Sequence, residues 1–124
     1  MPVTYDISGN TAVLKATGSV SYKDINGAFE NLFQDPDFKK GLNILLIDKQ
    51  SSYDPDAFDI ANAADHMEEL MKMFSPKIAL VVNKDLKYGF GRMLEMYCNV
   101  KKIELRVFMD LDQAKDWLKT DPVV

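Results

Sequence analysis

Polar and apolar residues alternate from Val3 to Ile7 and again from Thr11 to Thr17, with Ser8-Gly9-Asn10 between. A period of two around a glycine-bearing turn predicts a β-hairpin. The period then changes. Ile25, Ala28, Phe29, Leu32 and Phe33 recur at steps of three and four, which puts them on one face of a helix. Ser21 with Asp24 is a capping-box variant that starts this helix, and Asp35-Pro36-Asp37 stops it. Asn43-Ile44-Leu45-Leu46-Ile47-Asp48 is almost continuously apolar, as expected of a strand covered on both faces.

The same two patterns repeat to the end of the chain. Asp54-Pro55 supplies a cap and a first-turn proline. Ala57, Ile60, Ala64, Met67, Met71 and Phe74 form the stripe of a second helix, ended by Ser75-Pro76. A second buried strand runs from Lys77 to Val82. Asp85 caps a third helix, whose core face is predicted at Leu86, Gly89, Met93, Met96 and Val100, widened by Phe90, Leu94 and Tyr97. Lys101-Lys102 leads into a strand from Ile103 to Phe108. Asp110 with Gln113 starts a last helix, packed by Leu111, Ala114, Trp117 and Leu118 and broken by Asp121-Pro122. The order is ββαβαβαβα. It predicts a single α/β domain over 1–124: a five-stranded, mostly parallel sheet with four helices and an N-terminal hairpin. The first strand is expected at an edge, antiparallel, with Ile44–Ile47 and Ile78–Val82 central and parallel.

Composition narrows the function. A chain of 124 residues, 47% apolar, can bury one core without staples. A formal charge of −4 speaks against nucleic acid, which needs a clustered basic surface. No polybasic run suggests an anionic membrane surface, and no apolar run is long enough to span a bilayer. The N-terminus has no basic segment followed by an apolar one, so a cytoplasmic protein without membrane insertion is expected. The single cysteine, Cys98, excludes an internal disulfide framework and suits a small core position.

Tyr88-Gly89 followed by Arg92-Met93, the segment Arg106-Val107-Phe108, and a closing Phe-x-Asp-x-x-x-Ala-x-x-Trp-Leu helix ending at Trp117-Leu118 resemble the SpoIIAA-like family. That family belongs with the STAS domains and has structural kinship to the Sec14/CRAL-TRIO lipid-binding fold. The resemblance covers essentially the whole chain. It implies a STAS-like fold and a regulatory or protein-interaction role without enzymatic activity or cofactor. The Sec14 kinship implies an alternative, a carrier or sensor of a lipid-like apolar ligand. Regulatory STAS proteins accept phosphate on a serine after a buried strand, near the start of the second helix. Ser51 or Ser52 would fill that position; two solvated loop serines are the plainer reading.

Candidate chemistry is sparse. His66, the only histidine, is flanked by Asp65 and Glu68-Glu69 but falls on the polar face of its helix. One imidazole and one thiol do not make a zinc site, so no metal is expected. Ser51, His66 and Asp48 could compose a hydrolase triad, but no Gly-x-Ser-x-Gly elbow supports it. Gly89-Phe90-Gly91 is not a dinucleotide fingerprint. Close helix packing accounts for Gly89. Arg92 suits a pairing with Glu95 or a stack on Tyr88 better than an anionic ligand. The surplus is apolar: two successive helices carry wider apolar arcs than one sheet face requires. Leu70, Met73, Phe74, Tyr88, Phe90, Arg92 and Leu94 are therefore the candidate ligand or interface residues. A homodimer, another protein partner or a small apolar ligand would cover them.

Overall fold

The computed structural model describes residues 3–51, 57–72, 76–83 and 85–119, with backbone alone at 22, 49–51, 57–60, 70 and 86. The strands are β1 (Val3–Ser8), β2 (Thr11–Gly18), β3 (Asn43–Ser51), β4 (Ile78–Val82) and β5 (Leu105–Phe108). The helices are α1 (Tyr22–Gln34), α2 (Ala57–Leu70), α3 (Asp85–Val100) and α4 (Leu111–Leu118). The strands form one five-stranded sheet in the order β1-β2-β3-β4-β5. β1 pairs antiparallel with β2, and every later pairing is parallel. β3 and β4 are interior, as their lack of alternation predicts.

Each parallel crossover steps one strand further in the same direction. Right-handed connections of that kind put their helices on one face of the sheet. Accordingly α1, α2 and α3 share the larger core with Ala12, Leu14, Ile44, Leu46, Ile78 and Leu80. α4 covers the other face alone, packing Ala114 and Leu118 on Leu45, Ala79 and Val81. β1 is apolar only toward the larger core, whereas β2 also turns Val13 to the smaller one. Val3, Tyr5 and Ile7 face the larger core, while Thr4, Asp6 and Ser8 are exposed.

Local chemistry fixes the ends. Gly9 at φ 61° opens the two-residue hairpin turn, a conformation glycine adopts without strain. The Ser21 side chain accepts from the Asp24 N–H at 3.3 Å, and Asp24 accepts from the Ser21 N–H at 2.8 Å, which completes the predicted capping box. Asp35, after α1, accepts from the Asp37 N–H at 2.9 Å and the Tyr5 hydroxyl at 2.8 Å. Those two bonds hold its carboxyl below the usual range, the Asp37 contact most, and tie the end of α1 to β1. Asp110 Oδ1 accepts from the Asp112 and Gln113 N–H groups and caps α4. The Asp54-Pro55 cap lies outside the described residues. α2 ends at Leu70, short of the predicted Phe74; Met71 sits in the following turn and is still buried.

α3 is oriented differently from the expectation. Its core face holds Gly91 and Cys98, with Leu94 and Tyr88 packed beside them. Met96 is 67% exposed and Val100 84%. The predicted core face therefore points outward, about half a turn away on a helix of 3.6 residues per turn. Gly89 has nothing within 4 Å of an added Cβ, whereas a Cβ on Gly91 would lie 2.5 Å from Val107 Cγ2. Gly91, not Gly89, is the close-approach glycine.

Cys98 is fully buried, with its sulfur 4.0 Å from Met67 Sδ. Burial pushes the thiol up from 9.0 to about 12, against a weak opposing pull from Lys101. The unfolded thiol ionises first as pH rises, so this group takes away stability between pH 9.0 and about 12. The limiting slope is about 1.4 kcal/mol per pH unit. Urea denaturation of the protein and of Cys98→Ala from pH 8 to 11 should show the steeper alkaline loss only with the thiol present. Parallel slopes would refute it.

Candidate functional site

Open α/β sheets bind ligands beyond the carboxyl ends of their parallel strands. At that end Asp48 of β3 meets Lys87 in the first turn of α3, 3.2 Å apart, with side chains 12% and 10% exposed. The pairing of β2 with β3 shifts between Lys15 and Thr17, leaving an extra residue in β3 between Ile47 and Gln50. A bulge of this kind re-aims the strand, here beside Asp48. The result is a charge pair at the sheet end that is mutually neutralised. Ser51 is the last residue of β3; its side chain and Ser52 lie outside the described residues.

The triad components are dispersed. Asp48 is engaged by Lys87, and His66 Nε2 lies 3.1 Å from Glu30 Oε1 of α1. His66 is ten residues into α2, roughly 14 Å along the axis from its start. It is half-buried rather than on a free polar face, so it belongs to the α1–α2 contact. Its Nε2 is shielded from solvent and makes no directed hydrogen bond, so the Glu30 contact is one of proximity. Beside it Lys101 bridges Asp65 at 2.7 Å and Glu68 at 3.4 Å, tying the end of α3 to α2. These carboxylates, the Asp65 hydrogen bond first, raise the Lys101 ammonium above its ordinary value. Among the described residues no group of three or more His, Cys, Asp or Glu is placed to hold a metal.

The predicted interface residues separate. Tyr88 and Leu94 pack on the core. Arg92 Nη1 pairs with Glu95 Oε1 at 2.7 Å, the structural pairing its spacing favours. Glu95 Oε2 also accepts from the Val107 N–H at 3.0 Å, so the pair holds down the outer edge of β5. Phe90 is half-buried. The Leu70 side chain, Met73 and Phe74 lie outside the described residues.

The apolar surface that does stand open is elsewhere on α3. Met96, Tyr97 and Val100 are 67%, 41% and 84% exposed. Half-buried Phe90 and Met93 continue the line toward the start of the helix. Positions 90, 93, 97 and 100 follow steps of three and four, so they form one stripe on the face opposite Gly91 and Cys98. The sequence signal for this stripe is plain; its direction is what periodicity alone does not give.

The hairpin, the parallel strands and the division of helices between the two sheet faces define a SpoIIAA-like α/β fold. A crystal structure of an uncharacterized protein from the DUF3478 family with a SpoIIAA-like fold, from Shewanella loihica PV-4, matches this chain at a TM-score of 0.58. The two share 17% identity over 94% of this chain and 91% of that one, a likeness of fold alone. No family profile and no curated protein matches the chain. Among the described residues no helix is long and apolar enough to cross a membrane.

Proposed function

We propose that this protein is a non-enzymatic interaction domain, and that the outward face of α3 joins two copies in a homodimer. The observation that carries the reading is the exposed stripe of Met96, Tyr97 and Val100. Contiguous apolar surface on a soluble protein marks an interaction site more often than single exposed residues do. On α3, Tyr88 and Leu94 pack on the core beside Gly91 and Cys98, while Met96, Tyr97 and Val100 stand exposed. Methionine and tyrosine are well suited to such a surface, one adaptable, the other amphipathic. An isologous dimer needs a self-complementary patch, and an antiparallel pair of α3 stripes is one.

The test is native mass spectrometry and light scattering of the protein and of a Met96→Lys/Val100→Lys variant. The protein should be dimeric at micromolar concentration. The variant should be a folded monomer, its self-association weakened at least 100-fold, about 2.7 kcal/mol. Both positions are solvent-exposed, so its thermal midpoint should stay close to that of an isolated subunit. A parent that stays monomeric at high concentration would defeat the dimer. A retained apolar molecule in each subunit, lost from the variant, would move this face to the carrier role instead.

A further inference from the structure

We infer that the open edge of β1, together with the groove between it and α1, docks an extended peptide segment of a partner protein, added antiparallel as a sixth strand and carrying a carboxylate side chain to Lys23. The two edges of the sheet are treated differently. β5 is four residues long. The Val107 N–H on its outer side is taken by Glu95, which Arg92 holds in place. β1 is six residues long and has no such guard among the described residues.

The two-residue turn makes Ser8 and Thr11 the hydrogen-bonded closing pair of the hairpin. Pairs then alternate along the ladder, so Thr4, Asp6 and Ser8 bond to β2. The N–H and C=O groups of Val3, Tyr5 and Ile7 therefore point away from the sheet. Among the described residues no side chain meets them. Natural edges are blunted with lysine, proline, bulges or inward charges. From Val3 to Ser8 the chain has no lysine, proline or bulge, and its one charge is the exposed Asp6; the sequence is Val-Thr-Tyr-Asp-Ile-Ser, in which Val, Thr, Tyr and Ile favour strand.

Beside this edge lies a groove of about 400 Å³, walled by Val3, Thr4 and Tyr5 of β1 and by Lys23, Asp24, Gly27, Ala28 and Asn31 of α1. A glycine inside a helix costs about 1 kcal/mol relative to alanine. Among the described residues nothing explains Gly27, because a Cβ there would meet nothing within 4 Å. Its absence leaves room for the side chains of an added strand, which point alternately into the groove. Charge sets the partner's chemistry. Asp24 is turned into its own capping box, bonded to the Ser21 N–H. Lys23 is exposed and has no ion-pair partner among the described residues. The groove thus offers an open row of backbone groups, a small-residue floor and one free cation. An extended segment with an acidic residue at one end complements all three, the β-augmentation mode of peptide recognition.

The probe is a displayed library of random peptides about eight residues long, selected against the full chain, the enriched peptides then being synthesised and titrated into ¹⁵N-labelled protein. Enriched peptides should alternate β-branched residues and carry Asp or Glu near one end. Titration should shift the amides of Val3, Tyr5, Ile7, Gly27 and Asn31. Gly27→Leu fills the groove from a helix position that tolerates a side chain. It should weaken binding at least tenfold without lowering the thermal midpoint. Lys23→Glu should weaken the acidic peptides about tenfold and favour basic ones on reselection. The Met96→Lys/Val100→Lys variant should bind the same peptides as the parent, which separates this edge from the α3 face. Three results would overturn the inference: no enrichment over a bead control, equal binding to the parent and to both groove variants, or concentration-dependent protection of the β1 amides without peptide. The last would mean that a second copy occupies the edge.

Discussion

Replacing Lys87 with methionine is expected to destabilise the domain by about 3–5 kcal/mol, the usual penalty for leaving one member of a buried ion pair behind. The Lys87 ammonium lies 3.2 Å from Asp48, and both side chains are nearly closed to solvent. Methionine keeps most of the apolar stem, so packing changes little and the loss is the counter-charge. The double variant Asp48→Leu/Lys87→Met should be more stable than Lys87→Met alone, since it removes the buried carboxylate as well. Urea denaturation of the parent and both variants at pH 7 provides the measurement. A single variant within about 1 kcal/mol of the parent would show that the pair is solvated and contributes as little as a surface bridge.

The strands and most caps were legible because their signals are local. A period of two from Val3 to Ile7, the apolar runs in β3 and β4, and Ser21 with Asp24 each contain their own instruction. The facing of α3 was not legible, for a physical reason. Hydrophobic periodicity finds the largest apolar stripe on a helix and assumes that it faces the core. Here Tyr88 and Leu94 share the core side of α3 with Gly91, Cys98, Lys87 and Glu95, and the last four add nothing to that stripe. Each owes its place to a partner far along the chain. Gly91 answers to Val107, Lys87 to Asp48, and Glu95 to the Val107 N–H. No pattern within sixteen residues of helix contains those partners. His66 fails the same way: the residue that draws it inward is Glu30, on another helix. Tyr88 and Leu94 go to the core, and Met96, Tyr97 and Val100 stay outside.

Gly91→Val is expected to cost about 3 kcal/mol, near the upper end for overpacking a well-filled core. The argument is steric. Even the first carbon of a side chain at this position would sit 2.5 Å from Val107 Cγ2, 3.0 Å from Val107 Cβ and 3.4 Å from Leu80 Cδ2. Both residues belong to interior-facing strand positions that cannot swing to solvent, so α3 must lift from β4 and β5. Alanine at the same site gains about 1 kcal/mol of helix propensity over glycine and should still be a net loss. At Gly89, where nothing lies within 4 Å of an added Cβ, alanine has only the propensity gain and should stabilise. The sign difference between two glycines on one helix is the first check. Val107→Ala is the second, because it removes the methyl groups that oppose the new side chain. Alone it should cost about 1–2 kcal/mol as a large-to-small change. Combined with Gly91→Val it should restore part of the loss, giving a favourable coupling of at least about 1 kcal/mol in a double-mutant cycle. Lifting α3 also displaces Glu95 from the Val107 N–H. Hydrogen exchange at that amide should then accelerate in Gly91→Val and slow again in the double variant. Additive losses with an unchanged Val107 amide would mean that α3 does not rest on β5 through this contact.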